Sequence, residues 1–325
     1  MSPPSSTVLI VTRRDDVSAD RVEEAIVKRG GRPHRIDTAD FPQRLQLGAK
    51  LEDSGWCGAL VSRSGDRVSL DDLVSVYVRR PQPFRFSSNL TPAEQRHAGH
   101  EARYGLGGVL MSLAVRWCNH PGKSADAAYK PGQLAAFRAC GLKVPRTLIT
   151  NRADDVSGFV HQVGRVVCKS IVSEVVHTTD GSTVVYTHLL TDDDLADLRG
   201  VHHTAHLFQE YVPKVFEVRL TVVGDEFFAA KIATSSATYT QVDWRRDYDS
   251  HTYEVIDTPV EIRSAVTAYM TGTGLTFGAF DFVVTPDHEW VALECNPEGQ
   301  WGWIEENTGL PIADAIARHL LERTE

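Results

Sequence analysis

Two acids and an amide lie close together late in the chain, within Phe280-Asp281-Phe282-Val283-Val284 and Trp290-Val291-Ala292-Leu293-Glu294-Cys295-Asn296. The apolar flanks read as two strands, with a turn at Pro286-Asp287. If Thr285 faces His288 across a two-residue turn, Asp281 lies opposite Ala292. Side chains alternate along a strand, so Asp281, Glu294 and Asn296 then share one face. Asp281 and Glu294 become diagonal neighbours, about 7–8 Å apart at the backbone. Two carboxylates and an amide oxygen are hard ligands suited to Mg²⁺ shared with phosphate oxygens and water. Acids are seldom buried in apolar strands unless paired or ligating. The alternative is two solvated acids on the outer face of an edge hairpin.

Basic residues that would accompany such a site occur upstream. Lys169 sits inside Val166-Val167-Cys168-Lys169-Ser170-Ile171. A lone ammonium in an apolar strand calls for an anion such as a nucleotide phosphate, or marks a protected sheet edge. Lys130 precedes a helix in Ala127-Ala128-Tyr129-Lys130-Pro131. There it could hold phosphate together with backbone N–H groups, or simply face solvent. Gln209-Glu210-Tyr211-Val212, ending at Pro213, is a strand running into a bend whose backbone could read an adenine edge. Glu217, Arg219 and Thr221 share a face of the next strand. The acid suits ribose hydroxyls and the guanidinium suits a phosphate or carboxylate, unless this is a solvated polar face.

The elements needed to position these groups follow from apolar periodicity. Thr7–Thr12 reads as a buried strand, Ser18–Arg29 as a helix ending at Gly30-Gly31, and Arg35–Asp37 as a second strand. Ser69–Arg80 supplies a strand with Val74, Val76 and Val78 on one face, and Thr91–Leu113 a long helix starting at Thr91-Pro92. This opening predicts a parallel α/β unit. It lacks the glycine fingerprint of a dinucleotide site, because Arg13-Arg14-Asp15-Asp16 follows the first strand.

A turn-rich boundary falls at Asn119–Gly122. Beyond it come a helix over Pro131–Cys140 capped by Gly141 and strands at Thr147–Thr150, Val166–Ile171, Ser182–Leu189 and His206–Tyr211. A hairpin over Val215–Val223 and Glu226–Ile232 precedes a helix over Thr258–Thr271. The acid-bearing hairpin and a last helix, Pro311–Arg323, complete the chain. The predicted organisation is a segment over 1–118, a small central one over 119–205 and an antiparallel α+β one over 206–325. Ser173–Ser182 reads as a turn or loop able to cover a nucleotide. Trp301-Gly302-Trp303 suits either substrate contact or core packing.

A net charge of -9 argues against a nucleic-acid binder that relies on overall positive charge, and leaves room for a local basic groove. Five scattered cysteines with no CxxC pair argue against structural disulfides or zinc and fit a reducing cytoplasm. No apolar run approaches a membrane span, and Met1–Ser6 has no signal-peptide character.

Taken in order, these pieces resemble the ATP-grasp ligases. The carriers are Ala128-Tyr129-Lys130-Pro131-Gly132-Gln133-Leu134, Val167-Cys168-Lys169, Gln209-Glu210-Tyr211-Val212, Phe216-Glu217-Val218-Arg219-Leu220-Thr221, Asp281, and Leu293-Glu294-Cys295-Asn296-Pro297. A narrower resemblance is to the ribosomal-peptide maturases that make microviridins and other graspetides. It rests on Val78-Arg79-Arg80-Pro81, Asp243-Trp244-Arg245 and Asn296-Pro297-Glu298-Gly299-Gln300-Trp301.

The resemblance implies an ATP-grasp fold, α/β (α+β) overall, with an N-terminal parallel pre-ATP-grasp domain. It implies ATP and Mg²⁺, a leader-bearing precursor peptide as substrate, and a homodimer. Lys130, Lys169, Gln209, Glu210, Tyr211, Val212 and Glu217 would serve the nucleotide, with Asp281, Glu294 and Asn296 the metal. Arg219, Arg245 and Lys231 are the catalytic candidates. Lys231 stands where microviridin relatives are expected to carry other residues. The implied reaction joins Asp or Glu carboxylates to Thr or Ser hydroxyls or Lys amines through an acyl phosphate. A ligase acting on an amino acid or small amine, and a silent ATP-binding regulator, share the same nucleotide residues.

Overall fold

Thr7–Val11, the first apolar run, is buried along its whole length in the computed structural model of the chain. The structure describes residues 6–172, 175–178, 181–184, 186–233 and 251–322. This strand, β1, leads to α1 (Val17–Lys28), started by Asp16, whose carboxylate accepts the Ala19 N–H. Next come β2 (Arg32–Ile36) and an antiparallel sheet of β3 (Leu45–Glu52), β4 (Gly55–Ser62) and β5 (Arg67–Ser69). Then follow β6 (Leu73–Val78), α2 (Pro92–Met111) and β7 (Arg116–Cys118).

The expected parallel sheet is present, in the order β2-β1-β6-β7. Alternation sends Leu9, Val11 and Val76 toward Leu106, Val109 and Leu110 of α2, and Val8, Ile10 and Tyr77 toward α1. Thr91 and Glu94 form the reciprocal cap of α2 behind Pro92. The single strand expected over Ser69–Arg80 is instead two. A 3-10 turn at Leu70-Asp71-Asp72 separates β5, which pairs antiparallel with β4, from β6, which pairs parallel with β1. The β3–β5 sheet was not foreseen: Leu45, Leu47, Ala49 and Leu51 do alternate along β3, but Gly48 and Gly58 interrupt the strands, and most of their residues are half-exposed or exposed.

Past Asn119 the chain forms α3 (Pro121–Ala127), α4 (Lys130–Ala139), β8 (Thr147–Thr150), α5 (Ala153–Val163) and β9 (Val166–Lys169). A hairpin, β10 (Val175–Thr178) with β11 (Gly181–Val184), stands where a loop was expected, and Thr179-Asp180 lie outside the described residues. β12 (His188–Leu189), α6 (Asp192–Ala196) and β13 (His206–Glu210) follow. β12-β9-β13-β8 make a small antiparallel sheet. Val166 and Phe208 pack one face of it onto Val156 and Phe159 of α5. Leu207, Gln209, Val167 and Lys169 belong to the other face, by the pairing register.

The rest of the chain builds a five-stranded antiparallel sheet. Its strands are β14 (Phe216–Val223), β15 (Glu226–Ala233), β16 (Thr252–Ile256), β17 (Phe277–Val284) and β18 (Trp290–Asn296), in the order β16-β15-β14-β17-β18. α6 is followed in this part by α7 (Val260–Thr273), α8 (Gly302–Thr308) and α9 (Ile312–Leu321). One face, with Val218, Leu220, Val222, Phe280 and Phe282, packs on Phe137 of α4 and Val266, Tyr269 and Met270 of α7. The opposite face, with Val223, Phe228, Ala230, Phe277 and Ala279, joins Trp301, α8, α9 and the first sheet in one core. Among the described residues no helix is long and apolar enough to cross a membrane.

Candidate active site

The acidic hairpin differs in register from the expectation, and the difference brings the acids closer. The loop has three residues, since the Thr285 N–H donates to the Glu289 carbonyl and His288 adopts φ 61°. One further residue, Leu293, is extra between the Phe282–Ala292 and Asp281–Glu294 pairs. Asp281 therefore stands directly opposite Glu294 and not diagonal to it. Direct cross-strand partners have Cβ atoms about 4.5–5.5 Å apart, and like charges there repel unless cations intervene.

Cations do flank the pair. Arg219, the neighbour of Asp281 on β14, places Nη1 2.7 Å from Asp281 Oδ1. Lys130 Nζ lies 3.0 Å from Glu294 Oε2 and donates to the Ser170 carbonyl at 3.2 Å. Lys130 is the first residue of α4, so one ammonium bridges the small sheet and the large one. Asn296 lies two residues beyond Glu294 on the same face and is exposed. Two carboxylates and an amide oxygen on one open face, already balanced by protein cations, form a donor set that fits Mg²⁺. Burial pushes the intervening Cys295 thiol well above its usual range, which removes it as a nucleophile.

Other expected residues take definite places. Glu217 is on the same face as Arg219 and buried, with Oε1 2.5 Å from Lys214 Nζ. Lys169 and Gln209 lie on the face of the small sheet away from α5. Gln209 Nε2 donates to Thr147 Oγ1 at 3.0 Å. The Glu210 carboxylate accepts the Arg146 N–H at 3.0 Å, and the Tyr211 ring lies under the Arg165 guanidinium at 4.2 Å. The N–H groups of Glu210 and Tyr211 are taken by the carbonyls of Arg146 and Arg165, whereas that of Val212 has no partner among the described residues. Lys231 is not brought to this group. Ala230 is the partner of Arg219, so Lys231 points to the other face, where it pairs with Glu254 at 2.8 Å. Arg245 lies outside the described residues.

Several side chains that hold the site were not singled out from sequence. Gln133 is buried and locks the backbone beside Glu294, donating to the Cys295 carbonyl at 2.7 Å and accepting the Cys295 N–H at 2.8 Å. Asn119 donates to the carbonyls of Phe277 and Pro297 and accepts the Phe277 N–H. Gln300 accepts from Arg79 Nη2 at 2.6 Å through its side chain, and its carbonyl accepts from Arg219 Nη2 at 3.0 Å. Trp301 is fully buried beside Tyr77, so the core reading of that residue holds.

Gly299 sits in the turn after β18, where an added Cβ would fall 2.4 Å from Ala279 Cβ and 3.0 Å from Asn296 Cβ. Gly299→Ala is expected to lower the unfolding free energy by about 1–3 kcal/mol, because overpacking must be relieved by moving backbone. Urea denaturation reads this directly, and an unchanged midpoint would show that the turn yields freely.

Two antiparallel sheets with a lysine bridge between them, and a carboxylate pair on the inner face of the larger, define the ATP-grasp class of ligase. The family model for the MvdD pre-ATP grasp domain matches residues 7–124. The macrocyclase MdnB of Microcystis aeruginosa MRC is 30% identical, covers 98% of this chain over 100% of its own, and superimposes with a TM-score of 0.81. The macrocyclase MdnC of the same organism, bound with precursor peptide MdnA, is 29% identical with a TM-score of 0.84, covering 97% of this chain and 99% of its own. A RiPP-associated ATP-grasp ligase of Chryseobacterium gregarium, in complex with ADP and a leader and core peptide, is 25% identical over 98% of both chains, with a TM-score of 0.90. No curated protein sequence matches the chain closely. This chain belongs to the family of ATP-grasp ligases that contains the macrocyclases MdnB and MdnC.

Proposed function

We propose that this chain is an ATP-dependent macrocyclase of a ribosomally made, leader-bearing precursor peptide. The observation that carries the reading is the Asp281–Glu294 pair, joined by Lys130 to the small sheet, in a chain 30% identical to a macrocyclase over its full length. Mg²⁺ bound by Asp281, Glu294 and Asn296 supplies Lewis acidity and neutralises phosphate charge.

The chain's own residues hold and orient the reactants. Lys130 and Lys169 bind the phosphate chain, and the Gln209–Val212 segment reads adenine, with the N–H of Val212 as the available donor. Glu217, held by Lys214, takes the ribose hydroxyls. A peptide Asp or Glu carboxylate attacks the γ-phosphorus, the bridging P–O bond breaks, and ADP leaves. Arg219 stabilises the charge of the resulting acyl phosphate and of the tetrahedral species that follows. A Thr or Ser hydroxyl or a Lys amine then attacks the acyl carbon, loses its proton, and phosphate departs. Each ester or amide removes one water from the peptide. Arg245 orients an acidic group of the substrate in this scheme. The division at 118/119, a homodimer and the cytoplasm, where ATP is supplied and cysteines stay reduced, belong to the same proposal; the boundary expected at 205/206 moves beyond Glu210, because β13 pairs within the small sheet.

The test is mass spectrometry of a candidate precursor peptide from the same gene neighbourhood, incubated with enzyme, ATP and Mg²⁺. Stepwise ATP-dependent losses of water, mapped by fragmentation, support the reading. An unchanged peptide, with ADP released only when a free amino acid or small amine is added, points to a small-molecule ligase instead.

A further inference from the structure

Arg79 leaves the end of β6 in the first sheet, far in sequence from the acidic hairpin, and it is almost fully buried. Its Nε lies 3.0 and 2.8 Å from the two Asp16 oxygens, and Thr12 Oγ1 donates to the same carboxylate at 2.8 Å. Burial pushes the Asp16 carboxyl up, but the Arg79 charge with hydrogen bonds from Thr12, Arg79 and the Ala19 N–H outweighs it and holds its pKa low. The guanidinium is thereby fixed as a charged group. It has one remaining reach toward the site, the 2.6 Å bond from Nη2 to Gln300 Oε1.

Gln300 belongs to the strap Pro297–Trp301, whose ends are pinned. Asn119 holds the Pro297 carbonyl, and Trp301 is buried with its ring 5.6 Å from the Arg79 guanidinium. With both ends fixed, the side-chain bond to Arg79 sets how the Gln300 peptide is turned. That peptide's carbonyl receives Arg219 Nη2, while Arg219 Nη1 faces Asp281. Arg219 Nε is buried without a partner among the described residues, so these two contacts restrain the guanidinium.

We infer that Gln300, clamped by the Asp16–Arg79 pair, is a positioning residue that aims Arg219 at the reacting phosphate. The first sheet thus takes part in the chemistry through a chain of hydrogen bonds, without touching the nucleotide. The inference rests on the macrocyclase reading only for the role given to Arg219. The geometry itself is testable without any peptide.

The test compares Gln300→Leu and Gln300→Glu with the parent protein. The leucine keeps bulk but removes the acceptor for Arg79, whereas Glu keeps an oxygen there. Arginine-selective ¹⁵N NMR reads the Arg219 guanidinium, assigned by its loss in Arg219→Lys. In Gln300→Leu the Arg219 N–H protons are expected to exchange about tenfold faster or more, as for loss of a hydrogen bond to a charged group. The Asp16–Arg79 signals should stay in place, and Gln300→Glu should restore slow exchange. Unchanged Arg219 exchange in Gln300→Leu overturns the inference, whatever the enzyme acts on. In turnover assays the leucine variant should lose kcat at unchanged KM for ATP. A rise in peptide KM alone would show that Gln300 acts by touching substrate, which also overturns it. Failure of the parent enzyme to cyclise any peptide would fall on the proposed function and leave the NMR result standing.

Discussion

Glu294→Gln is expected to lower ATP turnover by about 10²–10³-fold, the scale of removing one pre-placed electrostatic contact from a phosphoryl-transfer site. The substitution keeps the shape and an acceptor oxygen but removes one of two negative charges that face each other across β17 and β18. It also ends the ion pair with Lys130, which then keeps its hydrogen bond to the Ser170 carbonyl. Glu294 is only partly buried, and exposed or half-exposed ion pairs contribute about 0–1 kcal/mol to stability. The fold is therefore expected to survive, with a melting temperature close to that of the parent. Steady-state ADP release and thermal denaturation on the same preparation separate the two effects. Full turnover in the variant would remove Glu294 from the donor set. A collapse of the fold would make it a structural acid.

Arg79→Met is expected to be the most destabilising single change at the site's periphery, at about 3–5 kcal/mol. It strands the Asp16 carboxylate, whose side chain is 5% exposed, without its counter-ion. The pair itself need not be worth that much, since burying two charges costs nearly what their attraction returns. The double variant Asp16→Asn, Arg79→Met should accordingly recover most of the lost stability. Chemical denaturation of the two singles and the double closes the cycle. A double variant no more stable than Arg79→Met would place the cost in lost packing of the guanidinium on Trp301 and not in a stranded charge. Catalysis should stay impaired in the double even where stability returns, because Gln300 still lacks its donor.

What the sequence revealed and what it hid follow from the range of the interactions. Strand identity in the acidic hairpin was legible because apolar residues bracket Asp281 and Glu294 closely. Its register was not, because it depends on a left-handed His288 and an extra Leu293, and neither leaves a mark in a two-residue alternation. The predicted face for Arg219 and Glu217 was correct, since alternation along one strand is local. Lys231 falls on the face opposite Arg219 because Ala230 is the residue of β15 that meets Arg219, a pairing that only the tertiary structure fixes. Gln133 and Asn119 bond backbone groups more than a hundred residues away, and Gln300 accepts from the Arg79 and Arg219 side chains, which come from two different sheets; their polar character alone gave no sign of these contacts. A glutamine inside the apolar spacing of α4 was the one usable hint.

The last helix closes the first sheet. Ile316, Ala317 and Leu320 of α9 enter the core with Val8, Ile10 and Tyr77, and Arg29 pairs with Asp314 at 2.7 Å. When the opening β1–β7 segment leaves the ribosome, the sheet face that bears Val8, Ile10 and Tyr77 is therefore covered by α1 alone. The stretch from Asn119 to Leu321 takes about 10–40 s to synthesise at ordinary rates. During that time the nascent amino-terminal third has the Asp16–Arg79 pair but neither Trp301 nor α9 to roof it. The last helix, made after the acidic hairpin, thus joins the first sheet and the hairpin's Phe277 and Ala279 in one core, so a truncation before Ile312 is expected to loosen both.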